Sequence, residues 1–139
     1  MFEEAIDNTV FLKATFGAMP ELQRIIVSRI AFELPDSIAV TFKCTEPAKK
    51  LPLKWKDFDT VGMTVRFFTI ADLNLNASGE GEEPIPAELT ISRAAPALWQ
   101  ASFGGGFQCS FLFRIARADD FFPALLAGVA RYSSSATKH

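Results

Sequence analysis

The sequence predicts an α+β fold that is mostly β: an antiparallel sheet of about six strands, curled or sandwich-like, with an N-terminal helix and a short C-terminal helix. Hydrophobic and polar residues alternate in several segments after residue 24, which is typical of half-buried strands. Short turns join most of these segments, and only antiparallel neighbours can be joined so closely. With 139 residues and 49% hydrophobic composition, we expect one domain over residues 1–132 and a disordered tail over 133–139.

The first predicted element is an amphipathic helix over residues 2–16. Its apolar residues recur at helical spacing, at Phe2, Ile6 and Val10. Gly17 and then Pro20 are stop signals, and an irregularity is allowed around Asn8. The helix has enough apolar residues to lie against a sheet but not to stand alone.

A hairpin is predicted next, from the segments RIIVSRIAFEL (residues 24–34) and SIAVTFKC (residues 37–44). Pro35-Asp36 supplies turn chemistry between them. The predicted inner face of the first strand is Ile26, Ile30, Phe32 and Leu34, with Ser28 as the odd member. The predicted inner face of the second strand is Ile38, Val40, Phe42 and Cys44. Each strand keeps one wet face.

Four more strand segments follow after a long connection over residues 45–59. The segment TVGMTVRFFTI (residues 60–70) comes first, with Leu73 and Leu75 as its continuation after a kink near Ala71-Asp72. A loop over residues 76–86 precedes AELTISR, ALWQASF and FQCSFLFRI, and Gly104-Gly105-Gly106 forms the last turn. Their predicted inner faces are Val61, Met63, Val65, Phe67, Ala87, Leu89, Ile91, Trp99, Ala101, Phe103, Phe107, Cys109, Phe111, Phe113 and Ile115.

The last predicted element is a short helix in DFFPALLAGVARY, residues 120–132. Asp119 or Asp120 is placed to cap its N-terminus, and Pro123 would stand in its first turn, where a missing backbone N–H costs nothing.

The charge distribution argues against nucleic acid and membranes. The formal net charge is −2, and no run of Lys or Arg is longer than Lys49-Lys50, whereas nucleic-acid binding normally needs a concentrated basic face. The start, MFEEAID, lacks the features of a signal peptide. The apolar run from Phe121 to Ala130 is about half a membrane span. We therefore expect a cytoplasmic protein.

The sequence offers no complete set of catalytic groups. The one histidine, His139, stands in the predicted tail, so histidine-dependent triads and metal sites are excluded. Cys44 and Cys109 lie in apolar strand patterns and fit two buried hydrophobic residues better than a disulfide or a reactive thiol. The triple glycine fits a hairpin turn better than a phosphate loop. We expect no enzyme, no cofactor and no metal.

Partner binding is the better interpretation of two acidic segments. The candidate residues are Asp57, Asp59, Glu80, Glu82 and Glu83. If the two segments meet, they form an acidic rim that steers a basic partner. An ordinary solvated loop is the simpler interpretation of the three glutamates.

Trp55 is the third candidate for partner binding, in the stretch LPLKWKDFDTV (residues 51–61). An exposed ring here would anchor a partner, because tryptophan is enriched among residues that dominate binding energy. Equally, the ring would close the end of the sheet, with Lys54 and Lys56 as solubilising neighbours. We favour the second role.

The order of motifs resembles the immunity protein 50 family of bacterial polymorphic toxin systems. The shared motifs are Phe16-Gly17 followed by Pro20, Lys54-Trp55 before a strand, the block TVGMTVRFFTIADLNL and the late strand FQCSFLFRI. The likeness covers roughly residues 8–118. One departure follows the proline, where family members often carry "FHDAEV"-like residues and this chain has residues 21–26, ELQRII. No role of that histidine carries over.

The resemblance implies a protein that binds and neutralises a cognate toxin domain, usually encoded beside it, by occluding the active site. It identifies neither the toxin nor the binding face, and both a monomer and a homodimer remain open. Two alternatives come from the 14 phenylalanines. A small-ligand carrier would use Phe-rich inner faces as a cavity, and a self-associating structural protein would use surplus Phe residues as a dimer interface.

Overall fold

The alternating segments form strands, and the structure is mostly β. It is a computed structural model that describes residues 2–76, 84–106 and 108–126. These residues contain nine strands of one sheet and three short helical segments. The strands are β1 (Ile6–Asp7), β2 (Arg24–Glu33), β3 (Ser37–Cys44), β4 (Thr60–Phe68), β5 (Ala71–Asn76), β6 (Ile85–Ala95), β7 (Leu98–Gly105), β8 (Gln108–Phe113) and β9 (Ile115–Ala124). The helical segments are α1 (Phe2–Ala5), α2 (Val10–Phe16) and a 3₁₀ turn (Leu53–Trp55).

The strand pairings close into a ring. In the order β1-β9-β4-β3-β2-β6-β7-β8-β5, β8 leads into β9 through Arg114, and β4 leads into β5 through Thr69 and Ile70. β4 and β5 thus form one long bent strand, and β8 and β9 form another. The two run side by side, because β4 pairs with β9 and β5 with β8. The pairings of the ring are antiparallel, and β1 adds a parallel pair with β9.

The prediction of about six antiparallel strands is therefore wrong in number and in type, although the mostly-β class is confirmed. A corner divides each long bent strand in two. Thr69 and Asp72 have positive φ there, and the Arg114 N–H donates to the Phe68 carbonyl at 3.3 Å. Leu73 and Leu75 follow this corner and are exposed rather than part of the inner face. The two-residue strand β1 makes the sheet mixed.

One core cluster fills the ring, and it confirms most predicted inner faces. The buried residues of β3, β4, β6, β7 and β8 are those that the alternation predicts, such as Val40, Phe67 and Phe111. Ile115 is an exception and is exposed, because the chain turns at Arg114 and Ala116 and Ala118 take the inward positions of β9. Phe107 lies outside the described residues.

The inner face of β2 is only partly as predicted. Ile25 and Val27 join the core cluster near the start of the strand, where the prediction placed Ile26 inward. A register shift between Val27 and Arg29 leaves Ser28 as an extra residue, and such a bulge reverses which side chains point inward. After the bulge, Ile30 packs against the core, while Phe32 and Leu34 are exposed to solvent.

The predicted N-terminal helix is divided into two pieces. Asn8 interrupts it with φ of 66°, and its side-chain amide donates to the Ala118 carbonyl at 2.7 Å. The residues before it form α1 and the two-residue strand β1, which pairs with β9. The predicted stop is confirmed, because α2 ends at Gly17 with φ of 87° and its N–H donates to the Lys13 carbonyl.

The predicted C-terminal helix does not begin at Asp120: its first residues are a strand, and the first described helical residue of this segment is Leu126. Residues 119–124 belong to β9, in which Pro123 lies opposite Val61 of β4. The aspartates and the proline are local helix-start signals, but the free edge of β4 offers a ladder of backbone hydrogen bonds that outweighs them. Residues 127–132 of that helix and the tail over 133–139 lie outside the described residues.

Candidate functional site

Three aromatic rings from distant parts of the chain meet at one end of the ring of strands. Phe11 of α2 lies edge-on to Trp55 of the 3₁₀ turn, with the ring centroids 5.7 Å apart. On its other side, Phe11 contacts Phe121 of β9 at 4.9 Å. All three side chains are partly buried and pack against the core cluster. The core therefore holds each ring from one side and leaves part of it to solvent.

The connection over residues 45–59 is folded back and fastened at both ends, which fixes Trp55 in place. The N–H groups of Lys49 and Lys50 both donate to the Thr15 carbonyl at the end of α2. The Ala48 N–H donates to the Asp59 carbonyl at the entrance of β4. After Pro52 the chain makes a 3₁₀ turn, closed by the Trp55 N–H on the Pro52 carbonyl at 2.9 Å.

Exposed apolar side chains lie close to these rings along the chain. Val10 is 78% exposed and adjoins Phe11 on α2, and Leu53 is 85% exposed and begins the turn that ends at Trp55. Phe58 and Leu125 are also exposed. The seven residues Val10, Phe11, Leu53, Trp55, Phe58, Phe121 and Leu125 are called the aromatic patch here. Such a concentration of apolar side chains with a charged rim is typical of an interaction surface.

The environment of Trp55 answers the question that its sequence context raises. The ring is partly buried, so it is neither a core residue nor a freely exposed one. The Lys54 ammonium lies 5.7 Å from its centroid, within the range of a weak cation–π contact. A ring that is already held on one side has little side-chain freedom left to lose in a further contact.

The two predicted aspartates of this segment have different environments. Asp59 Oδ1 accepts a hydrogen bond from the Leu126 N–H at 2.6 Å, and its backbone N–H donates to the Ala124 carbonyl. Asp59 thus fastens the end of β9 to the start of β4. Asp57 is exposed and makes no hydrogen bond or ion pair with another described residue, so its carboxylate is available to a partner.

The three predicted glutamates, Glu80, Glu82 and Glu83, lie outside the described residues. The structure therefore brings Trp55, Asp57 and Asp59 together on one segment, but it does not test whether the second acidic segment meets them.

The sequence did not identify Phe11 or Phe121 as parts of a site. Phe11 adjoins the helical apolar series, and Phe121 follows the aspartates of the predicted helix, so both were ascribed to packing of helices. Only the pairing of β9 with β4 brings Phe121 to the end of the ring where Phe11 and Trp55 lie.

A charged network on the outer face of the sheet was also missed. Arg66 of β4 lies 3.1 Å from Asp120, 3.5 Å from Glu33 and 3.7 Å from Asp119. Its hydrogen bond to Asp120 and these charges raise the pKa of the guanidinium further above its ordinary value. The four residues come from three strands, and no local spacing could have joined them.

The remaining chemistry is sparse. Cys44 and Cys109 are free and buried, as predicted, and burial raises the pKa of both thiols. Within the described ranges, no group of three or more His, Cys, Asp or Glu side chains is arranged to hold a metal ion. Nor does any described helix have the length and apolarity needed to cross a membrane.

Comparison with known families decides the classification. A family model described as immunity protein 50 matches residues 8–120. The chain belongs to the immunity protein 50 family. The matched range of this immunity protein 50 family member runs from the break at Asn8 to Asp120 in β9, so it covers α2, the 3₁₀ turn and all but the last residues of the ring. No curated protein and no solved structure matches the chain.

Proposed function

We propose that this chain binds a cognate bacterial toxin domain in the cytoplasm and neutralises it by covering the active site. Membership of the immunity protein 50 family carries the proposal, because a family of immunity proteins implies a protein toxin as partner. The chain acts by occupancy, without catalysis, cofactor or metal. The toxin is encoded beside it, as the resemblance to polymorphic toxin systems implies.

The aromatic patch is the proposed centre of the contact with the toxin. Tryptophan and other aromatic side chains are enriched at the centres of interfaces, where a few of them carry most of the binding energy. Trp55 is already braced by Phe11, and exposed Leu53 and Val10 extend the apolar surface around it. Covering these side chains removes apolar area from water at a low cost in side-chain entropy.

Asp57 is proposed to act at the rim of this patch. Its exposed carboxylate, which pairs with no described residue, suits a basic side chain of the toxin. A charge at the rim mainly changes the rate of association and its salt dependence rather than the lifetime of the complex. Glu80, Glu82 and Glu83 are proposed to add to the same steering, and Asp59 to support the fold of the segment.

The two alternative functions receive less support. The Phe-rich inner faces are occupied by their own rings, since Phe67 contacts Phe111 and Phe113 with centroids 4.9 Å apart in each case. These residues therefore form core rather than the wall of a ligand cavity. Self-association through the aromatic patch is a direct competitor of toxin binding, because it would use the same side chains.

A growth assay tests the proposal. Cells that express the neighbouring toxin gene alone should stop growing, and cells that also express this chain should recover. Trp55→Ala should lose the protection, whereas Trp55→Phe should keep most of it, because a ring remains against Phe11. Folded, abundant chain that gives no protection would contradict toxin neutralisation. A stable homodimer that buries Trp55 would favour self-association instead.

A further inference from the structure

The outer face of β2, β3, β4 and β9 carries a small groove. Its volume is about 120 Å³, and it is lined by two arginines, two carboxylates and four small side chains: Arg29, Arg66, Glu33, Asp120, Ala31, Ala39, Thr41 and Thr64. Pockets for metabolites and cofactors usually hold about 300–1,000 Å³. The groove is therefore of a size for one side chain of a protein partner rather than for a small-molecule ligand.

A row of polar side chains crosses the four strands at this groove. Arg29 of β2 lies opposite Thr41 of β3, Thr41 lies opposite Thr64 of β4, and Thr64 lies opposite Asp119 of β9. The two threonine hydroxyls are 2.8 Å apart. In such a pair one hydroxyl donates to the other, and the acceptor keeps its own hydrogen for a further acceptor.

The two ends of this row differ in how their charges are paired. At the β4–β9 end, Arg66 pairs with Asp120 and with Glu33 of β2, and Arg117 pairs with Asp119. At the other end, the Arg29 side chain has no hydrogen bond or ion pair with any residue that the structure describes. Arg29 is therefore the arginine of the lining that no described carboxylate pairs with, whereas Glu33, on the same strand, is occupied by Arg66.

Lys43 adds a further positive charge to the face that carries the groove. It lies two residues from Thr41 on the same face of β3, opposite Gly62. Its ammonium donates to the Leu125 carbonyl at 3.2 Å and has no carboxylate partner among the described side chains. Because Leu125 belongs to the aromatic patch, Lys43 also marks the place where the outer face and that patch adjoin.

We infer that this groove receives an acidic side chain of the protein partner, an aspartate or glutamate that pairs with Arg29 over the Thr41 and Thr64 hydroxyls. The inference rests on the proposed function, because it places a second contact of the same toxin. Thr60, at the entrance of β4 beside the patch, and Thr64, in the groove, are four residues apart along the strand, or about 13 Å. An interface of standard size, about 800 Å² on each side, spans both.

The pairing is complementary in chemistry. A carboxylate accepts two parallel N–H bonds from a guanidinium, and the free threonine hydroxyl supplies a further donor from the floor. Ala31 and Ala39 lie opposite each other in the neighbouring row, and their short side chains do not block the groove. A partner side chain can therefore reach the floor without displacing a bulky residue.

The experiment measures the affinity of the purified chain for the toxin domain encoded beside it, in an inactive form, by calorimetry. Arg29→Ala should weaken binding about ten- to a hundredfold, as expected for loss of a charged hydrogen-bonded pair. Arg29→Lys should recover only part of the affinity, since lysine lacks the planar fork. Arg24→Ala is the matched control, an exposed arginine on the same strand away from the groove, and it should bind as the unmodified chain does.

A second measurement identifies the partner group. Among variants of the toxin that each neutralise one acidic residue, one should lose affinity non-additively with Arg29→Ala. Equal affinity of Arg29→Ala, Arg24→Ala and the unmodified chain overturns the inference while toxin binding stands. If no acidic residue of the toxin couples to Arg29, and inorganic phosphate restores the affinity, the groove binds a small anion. That result also overturns the inference. No binding by the unmodified chain overturns both the inference and the proposed function.

Discussion

At the scale of single residues, the two tryptophans differ in environment and in role. Trp99 is 6% exposed, belongs to the core cluster and is covered by the Arg93 guanidinium 4.2 Å from its ring centroid. Trp55 is partly buried beside Phe11 and open on its other side. The first ring stabilises the fold, and the second is proposed to serve both the fold and a partner.

Replacing each tryptophan by alanine should separate these roles. Trp99→Ala should lower the free energy of unfolding by about 3–5 kcal/mol, because it leaves a large cavity in the core. Trp55→Ala should lower it by about 1–2 kcal/mol, since less surface returns to water. Denaturant unfolding followed by circular dichroism measures both. A loss at Trp55 as large as that at Trp99 would make Trp55 a core residue and contradict the anchor role.

Cys44 should be an unreactive thiol in the folded chain. Burial, followed by the nearby charge of Glu46, raises its pKa to about 12, and only the thiolate reacts readily. The thiol of the unfolded chain ionises at a lower pH, so this cysteine's contribution to stability is fully present at neutral pH and is lost as the pH rises above about 9. Labelling with a disulfide reagent at pH 8 should require denaturant. Rapid labelling of both cysteines in native buffer would contradict the burial.

At the scale of elements, the contact of β4 with β9 shapes the end of the ring that carries the aromatic patch. Gly62 provides the space for it: a Cβ at this position would lie 2.1 Å from the Phe122 ring. The pairing of the two strands shifts register between Gly62 and Thr64, and Asp120 has φ of 51° at this irregularity. The bulge allows Phe122 to lie over Gly62 on the outer face while Phe121 contacts Phe11.

Gly62→Ala should therefore destabilise the chain by about 1–3 kcal/mol through overpacking against Phe122. Gly104→Ala is the matched control, because a Cβ there has open space around it, and it should change stability by less than about 0.5 kcal/mol. Thermal unfolding of the two variants gives the comparison. If Phe122→Ala removes most of the Gly62→Ala penalty, the ring is the cause; equal stability of the two glycine variants would refute the packing.

The alternation of residues predicts strands and their inner faces well wherever a strand is straight. In β3, β4, β6 and β7, inward apolar residues alternate with outward residues next to them in sequence, so a few neighbouring residues are enough to recognise the strand. It fails at the Ser28 bulge and at the corner near Thr69, because a reading with period two assumes an unbroken strand. It fails again at β9, where capping signals at Asp119 and Asp120 are local but the pairing with β4 joins residues far apart in sequence.

At the scale of the whole molecule, the closed ring of strands positions two surfaces that adjoin each other. The core cluster holds the aromatic patch at one end of the ring, and the outer face of β2, β3, β4 and β9 carries the groove beside Arg29. The sequence pointed to Trp55 through its unusual context and to Asp57 through its acidic segment. It could not give Phe11, Phe121 or Arg29 as site residues, because tertiary contacts alone bring them to these surfaces.

The central claim is that the aromatic patch binds a toxin, and calorimetric titration of the purified chain with the inactive toxin domain encoded beside it is the most direct test. We predict saturable one-to-one binding that Trp55→Ala reduces by at least about tenfold while the variant remains folded. Asp57→Asn should slow association and flatten its salt dependence with little change in dissociation. Absence of binding, or binding by folded Trp55→Ala equal to that of the unmodified chain, would contradict the claim.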